Sequence, residues 1–297
     1  ALIGEMLRLP GTEASRLSAA ITERTGGNPY DSVELINALR QDGLLTPHNG
    51  TWKWDEAAIR QYVGDCDVVG LLGRRIDRLP PESQDLLEIL ACLGGEVSTN
   101  LLEIASGLDT VALESRLAPA LEDGLIVSLT THEREIRFRH DRVQQAMHER
   151  MMASDVKVQV GLLLARRLAP HPKLAALAAK QYLPSQHLLT DDAECRSVIT
   201  LFQQASIINQ VINYDLCERF LSAAISLMSR IPLNDVDRER LFTLQVNRHA
   251  ALYGLGRLEE ADVAYEAIIA NVPEPMRLVD AASVQIASLA NRSRHKD

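Results

Sequence analysis

Aromatic residues make up only 4% of this 297-residue chain, while leucine and alanine are abundant. That scarcity leans away from an aromatic-rich β-sandwich and toward helices. Four cysteines, Cys66, Cys92, Cys195 and Cys217, form no C-x-x-C pair, which excludes the common zinc and dithiol motifs and any disulfide framework. A cytoplasmic setting is the expectation. No apolar run approaches ~18 residues and no leader pattern is visible, so no membrane segment is expected. Basic residues are outnumbered, 31 against 40, for a net charge of −9, which argues against a large nucleic-acid surface. The chain also lacks G-x-x-x-x-G-K-[ST], G-x-G-x-x-G, G-x-S-x-G and H-E-x-x-H. It therefore contains no phosphate-binding loop and no complete active site. It begins with Ala inside a helical pattern, and reads as a piece of something larger.

What is present is mainly α. The length suggests two or three domains. From Leu79 to Met151 the pattern is that of a winged helix. Pro80-Pro81-Glu82-Ser83 opens a helix through Leu86, Leu87, Ile89, Leu90 and Leu93, and Gly94-Gly95 stops it. A second helix starts at Ser98-Thr99-Asn100 and a third after Asp109, with Val111, Leu113, Leu117 and Leu121 at helical spacing. The period then falls to two: Leu125, Val127 and Leu129 alternate in one run, Ile136 and Phe138 in a second. A new helix begins at Asp141, which puts His140 at a strand-to-helix junction. Unpaired N–H groups pointing outward there would favour an anion. His140, Gln144 and His148 share a helix face, but no further ligand stands near them, so no metal site is assigned.

Upstream, residues 12–25 read as a helix ended by Gly26-Gly27. Asn28 is then an N-cap and Pro29 a first helical residue, with Val33, Leu35, Ile36 and Leu39 carrying the apolar face to Asp42-Gly43. Leu44-Leu45-Thr46, Asn49-Gly50 and Thr51-Trp52-Lys53-Trp54 spell a hairpin. A helix near 67–79 joins the two regions. Taken alone, Gly26–Tyr30 is helix punctuation and His140 a histidine at a hairpin end. Both readings stand beside the functional one below.

After Met151 the strand signals vanish. Helices are predicted near 155–170, 173–189, 192–210, 213–230, 235–253, 257–271 and 275–291, with breaks at Pro170, Pro172, Pro184, Asn213, Pro232, Gly254, Gly256 and Pro273. Paired helices with tight links are the sequence form of a solenoid, a plain bundle being the alternative. Gly256, Ala261, Tyr265, Ala267 and Pro273 fall where a tetratricopeptide-like repeat wants small, aromatic and breaking residues. The expected layout is a helical lid with a small β-hairpin at 1–66, a winged helix at 67–152 and an α-solenoid arm at 153–297.

The run Glu23-Arg-Thr-Gly-Gly-Asn-Pro-Tyr-Asp-Ser-Val-Glu-Leu-Ile-Asn-Ala-Leu-Arg-Gln-Asp-Gly-Leu-Leu resembles the lid of the signal-transduction ATPases with numerous domains. Leu71–Leu93, with Arg-Arg-Ile-Asp-Arg-Leu-Pro-Pro-Glu-Ser-Gln-Asp-Leu-Leu, does so too. Phe138-Arg-His-Asp-Arg-Val-Gln-Gln-Ala resembles the form in large bacterial serine/threonine kinase–histidine kinase signalling proteins, and related modules occur in transcription activators. The resemblance is strongest over 20–150. It implies a nucleotide-binding domain upstream, with ATP or ADP as cofactor and Gly27, Asn28 and Pro29 near the base. It implies that His140 reaches the β-phosphate, in a motif where Arg139 replaces the usual Met. A protein partner or ligand on the arm is also implied. Two other classes compete: a helical scaffold that binds a protein without nucleotide, and a winged-helix DNA-binding regulator. Against the last, the helix 109–122 offers Arg116 as its one basic residue, and specific DNA binding is not expected. Arg134, Arg137, Arg139 and Arg142 cluster at the wing, with Glu133, Glu135 and Asp141 available to balance them.

Overall fold

The computed structural model describes residues 2–48, 51–65, 68–130, 134–153, 156–271 and 278–293. The Asn49-Gly50 turn, Cys66, His132, Glu133 and Pro273 lie outside them. The chain divides into two compact units, Ala1–Val156 and Lys157–Asp297, and is mainly α with two small antiparallel sheets.

The first unit opens with α1 (Leu2–Leu7), α2 (Gly11–Thr25) and α3 (Pro29–Gln41). The strands β1 (Leu45–His48) and β2 (Thr51–Trp54) pair in register Leu45 to Trp54, and α4 (Glu56–Asp65) follows. Leu17, Ile21, Leu35, Ile36, Leu39, Leu45 and Ile59 form their common core. Next comes α5 (Val68–Asp77), whose Leu71 is buried in that same core. The chain goes on through α6 (Pro81–Cys92), β3 (Glu96–Ser98), α7 (Thr99–Ser106), α8 (Thr110–Glu122), β4 (Ile126–Thr130), β5 (Arg134–Phe138) and α9 (Asp141–Ala153).

The winged-helix order is present, with one strand more than the sequence suggested. β3 pairs with β5, giving a three-stranded sheet ordered β3-β5-β4. Three residues between a glycine stop and a helix cap are too few for periodicity to reveal a strand. The hairpin phase also differs. Ile126 lies opposite Phe138 and Ser128 opposite Ile136, so Ile126, Ile136 and Phe138 face the core while Val127 and Leu129 are half-buried.

The second unit is a succession of helices: α10 (Val156–Leu168), α11 (Ala175–Ser185), α12 (Asp192–Asn209), α13 (Tyr214–Met228), α14 (Asp235–Gly254), α15 (Leu258–Asn271) and α16 (Val279–Ser293). From α11 to α16 each packs on the next, and α11 on α13 and α14 on α16 as well. That is the contact pattern of stacked helix pairs. Phe202, Phe220, Leu221, Leu227 and Leu244 fill the seam, and Leu252, Ala261 and Ile268 continue it. Pro184, expected as a break, sits inside α11, which ends one residue later.

Candidate functional site

Two helix N-termini, 112 residues apart in sequence, meet in the first unit. At the start of α3, Gly26 and Gly27 take φ of 58° and 80°, left-handed values that glycine adopts without cost. A Cβ on either would meet nothing within 4 Å, so conformation rather than crowding favours glycine there. Asn28 then caps the helix. Its Oδ1 accepts from the N–H of Tyr30 at 2.9 Å and of Asp31 at 3.2 Å. Pro29 is exposed and Tyr30 half-buried.

At the start of α9, His140 plays the same part. Its Nδ1 accepts the Arg142 N–H at 3.2 Å, and its carbonyl accepts from Val143 N–H at 2.9 Å. The expectation of free N–H groups pointing outward therefore fails at Arg142, because the imidazole itself caps that donor. The ring is left with Nε2. An imidazole whose Nδ1 accepts carries its proton on Nε2 when neutral, so His140 is a single N–H donor whose tautomer its own helix sets.

The two caps are locked together. Tyr30 and His140 stack with centroids 3.9 Å apart and planes within 3°. Arg142 donates to Asp31 at 3.4 Å. The other Asp31 oxygen is buried without a hydrogen-bond partner among the described residues, a condition that costs about 1–3 kcal/mol. Burial first, then the Glu34 carboxylate, pushes the Tyr30 hydroxyl up to about 12, so it stays a neutral phenol. One turn along α3, Glu34 accepts from Arg75 of α5, and Arg75 also donates through Nε to Asp123 at 3.0 Å. The Arg139 guanidinium lies close to Gly124, where a Cβ would stand 3.3 Å from it. The wing arginines thus find distant partners: Arg134 pairs with Glu114 of α8 and Arg142 with Asp31 of α3.

This junction is polar and held by one ring stack and a few charged contacts. A cleft of about 560 Å³ lies alongside the C-terminal half of α3, lined by Glu34, Gln41, Trp52, Arg75, Arg78 and Asp123 among others; it contains none of Gly27, Asn28, Pro29 or His140. The sequence picks out Gly27, Asn28, Pro29 and His140 but does not assign Tyr30, Asp31, Arg75 or Arg142 to the site. Tyr30 and Asp31 directly follow Pro29 and Arg142 lies two residues past His140, whereas Arg75 is far from all of them in sequence, and no local pattern encodes a stack between positions 30 and 140. Among the described residues no His, Cys, Asp and Glu group could hold a metal ion. A scan of protein-family models and searches of curated proteins and of solved structures each found nothing that matches this chain.

Proposed function

We propose that the chain is the regulatory segment of a nucleotide-switched signalling ATPase. In this reading, ADP held by a partner nucleotide-binding domain ties the lid to the winged helix. The observation that carries the reading is the stack of Tyr30 on His140, which ties the residue following Pro29 to the one cap whose Nε2 remains available. A phosphate oxygen could accept from that Nε2–H without disturbing either cap. The unsatisfied Asp31 oxygen and the polar contacts around it give the closed arrangement little margin, as a switch requires. The helical arm would take a protein partner or ligand and pass its state to this junction.

The test uses the protein together with its nucleotide-binding domain. His140→Ala removes one hydrogen bond to a charged group, worth ~1.5–3 kcal/mol. ADP affinity should therefore fall roughly 10- to 100-fold, with signalling output rising. Isothermal titration with ADP measures the first quantity. Unchanged ADP affinity would return His140 to a purely structural cap.

A further inference from the structure

Arg75 holds a place in the junction that the nucleotide reading leaves without a role. It stands on α5, whose Leu71, one turn earlier, is buried in the lid core. Apolar packing of that kind is non-directional, so it brings α5 against α3 without fixing how α3 is turned. The Arg75 guanidinium supplies the direction. It donates to the Glu34 carboxylate on α3, through Nε to the Asp123 carboxylate at 3.0 Å, and through a third nitrogen to the Asp123 carbonyl. A planar fork that meets three acceptors favours one orientation of the elements carrying them. Solvent competes little for the α3 contact, because the Arg75 and Glu34 side chains are 19% and 11% exposed.

Both halves of the stack lead back to the turn that Arg75 grips. Glu34 lies four residues after Tyr30, on the same face of α3. At the other side, the Leu125 carbonyl accepts from the N–H of Arg139, the residue before His140, at 2.9 Å. The segment 123–125 therefore holds α3 through Arg75 and the His140 cap through Arg139. Burial and then Glu34 raise the Tyr30 hydroxyl, with Arg75 and Arg139 acting against them, so both guanidiniums lie within electrostatic reach of the stacked ring. The direct tie, Arg142 to Asp31, is a looser restraint, at 3.4 Å from an arginine that is 40% exposed. We propose that Arg75 is the positioning residue of the junction: by clamping Glu34 to the turn that carries Arg139, it sets the rotation of α3 that lays Tyr30 flat on His140. Its consequence for ADP rests on the function proposed above, whereas the alignment of the stack is a property of this chain alone.

Histidine-selective NMR on the full chain reads the stack directly, because a tyrosine face 3.9 Å away moves imidazole ring-proton signals to lower frequency. His140→Gln assigns those signals, and Tyr30→Leu should abolish their displacement. Arg75→Gln alone would strand the Glu34 carboxylate, so the clamp is removed with the double variant Arg75→Gln, Glu34→Gln, which leaves no buried charge unpaired at that contact. The double variant should lose most of the His140 displacement. The signals of His148, farther along α9, and of His249, in the arm, should stay in place and show that both units remain folded. Arg75→Lys keeps the charge without the planar fork, and should lose part of the displacement even where the double variant unfolds. Arg74→Gln, the same loss of charge one residue away, should match the parent. An undiminished displacement in Arg75→Lys or in the folded double variant overturns the role, as does an equal loss in Arg74→Gln or a parent that shows no displacement. No nucleotide enters the measurement. Unchanged ADP affinity in His140→Ala would sink the switch and leave the positioning role standing, and an Arg75 variant with the full displacement would do the reverse.

Discussion

At the scale of single residues, the arm shows how one side chain sets the state of the next. Asp262 accepts from the Nε2 amide of Gln285 at 2.6 Å, which turns the Gln285 oxygen toward Nε2 of His249 at 3.0 Å. A carboxylate accepts only, so His249 must donate from Nε2, and its Nδ1 is left buried without a partner among the described residues. The ring of Tyr265 lies 5.5 Å away, so His249 is a packing residue, at 0% exposure. The Arg292 guanidinium first, then the Gln285 amide, holds the Asp262 carboxyl down at about 2. A carboxyl depressed in the folded state contributes stability above its unfolded pKa of ~3.9, and that contribution is lost as pH falls toward the folded value. The arm should therefore lose stability between about pH 4 and pH 2 more steeply than an Asp262→Asn variant does. Parallel acid titrations followed by circular dichroism compare the two slopes. Equal slopes would mean that the pair with Arg292 does not form in solution.

At the scale of elements, what was legible is what local chemistry writes. Asn28-Pro29, Ser98 and Asp109 each start a helix where the sequence places them, with the capping bonds observed. The arm helices fall within a few residues of their predicted spans, because proline, glycine and asparagine punctuate them. What was not legible depends on partners far along the chain. β3 exists because β5 is there to receive it, and the register placing Ile126 rather than Val127 inward is set by pairing with Phe138. The same holds at the candidate site: cap residues could be read individually, but the contact between residues 30 and 140 could not. Gly95, between α6 and β3, combines both kinds of information. Its φ of 88° suits glycine, and a Cβ there would stand 2.7 Å from the Gln144 carboxamide of α9. The Gln144 tip can move, so the conformational term dominates, at ~1–2 kcal/mol. Gly95→Ala should then lower the melting temperature of the first unit by roughly 2–8 °C. Gly11→Ala, at ordinary φ with nothing within 4 Å, serves as control and should leave it unchanged or slightly higher. A Gly95→Ala curve that overlays the parent would show the turn is not held in the left-handed region.

At the scale of the whole molecule, charge argues against a DNA-reading role. No helix among the described residues is long and apolar enough to cross a membrane, and the chain carries nine more negative than positive charges. A winged helix that reads DNA needs cations on its recognition helix and wing, since phosphate neutralisation supplies most of the affinity. Here α8 exposes Val111, Glu114, Ser115, Arg116 and Glu122. Glu114 accepts from Arg134 of the wing, and Arg142 turns away to Asp31. Arg137 and Arg139 are the remaining cations at the wing, too few to offset the acidic face beside them. At near-physiological salt the chain should bind duplex DNA no tighter than the non-specific range of ~10⁻⁴–10⁻⁶ M, without sequence preference. Fluorescence anisotropy with a randomised duplex pool, followed by selection and sequencing, measures both quantities. Enrichment of one sequence at nanomolar protein would make this a DNA-reading domain. The stack of Tyr30 on His140 would then be only the brace that holds its last helix in place.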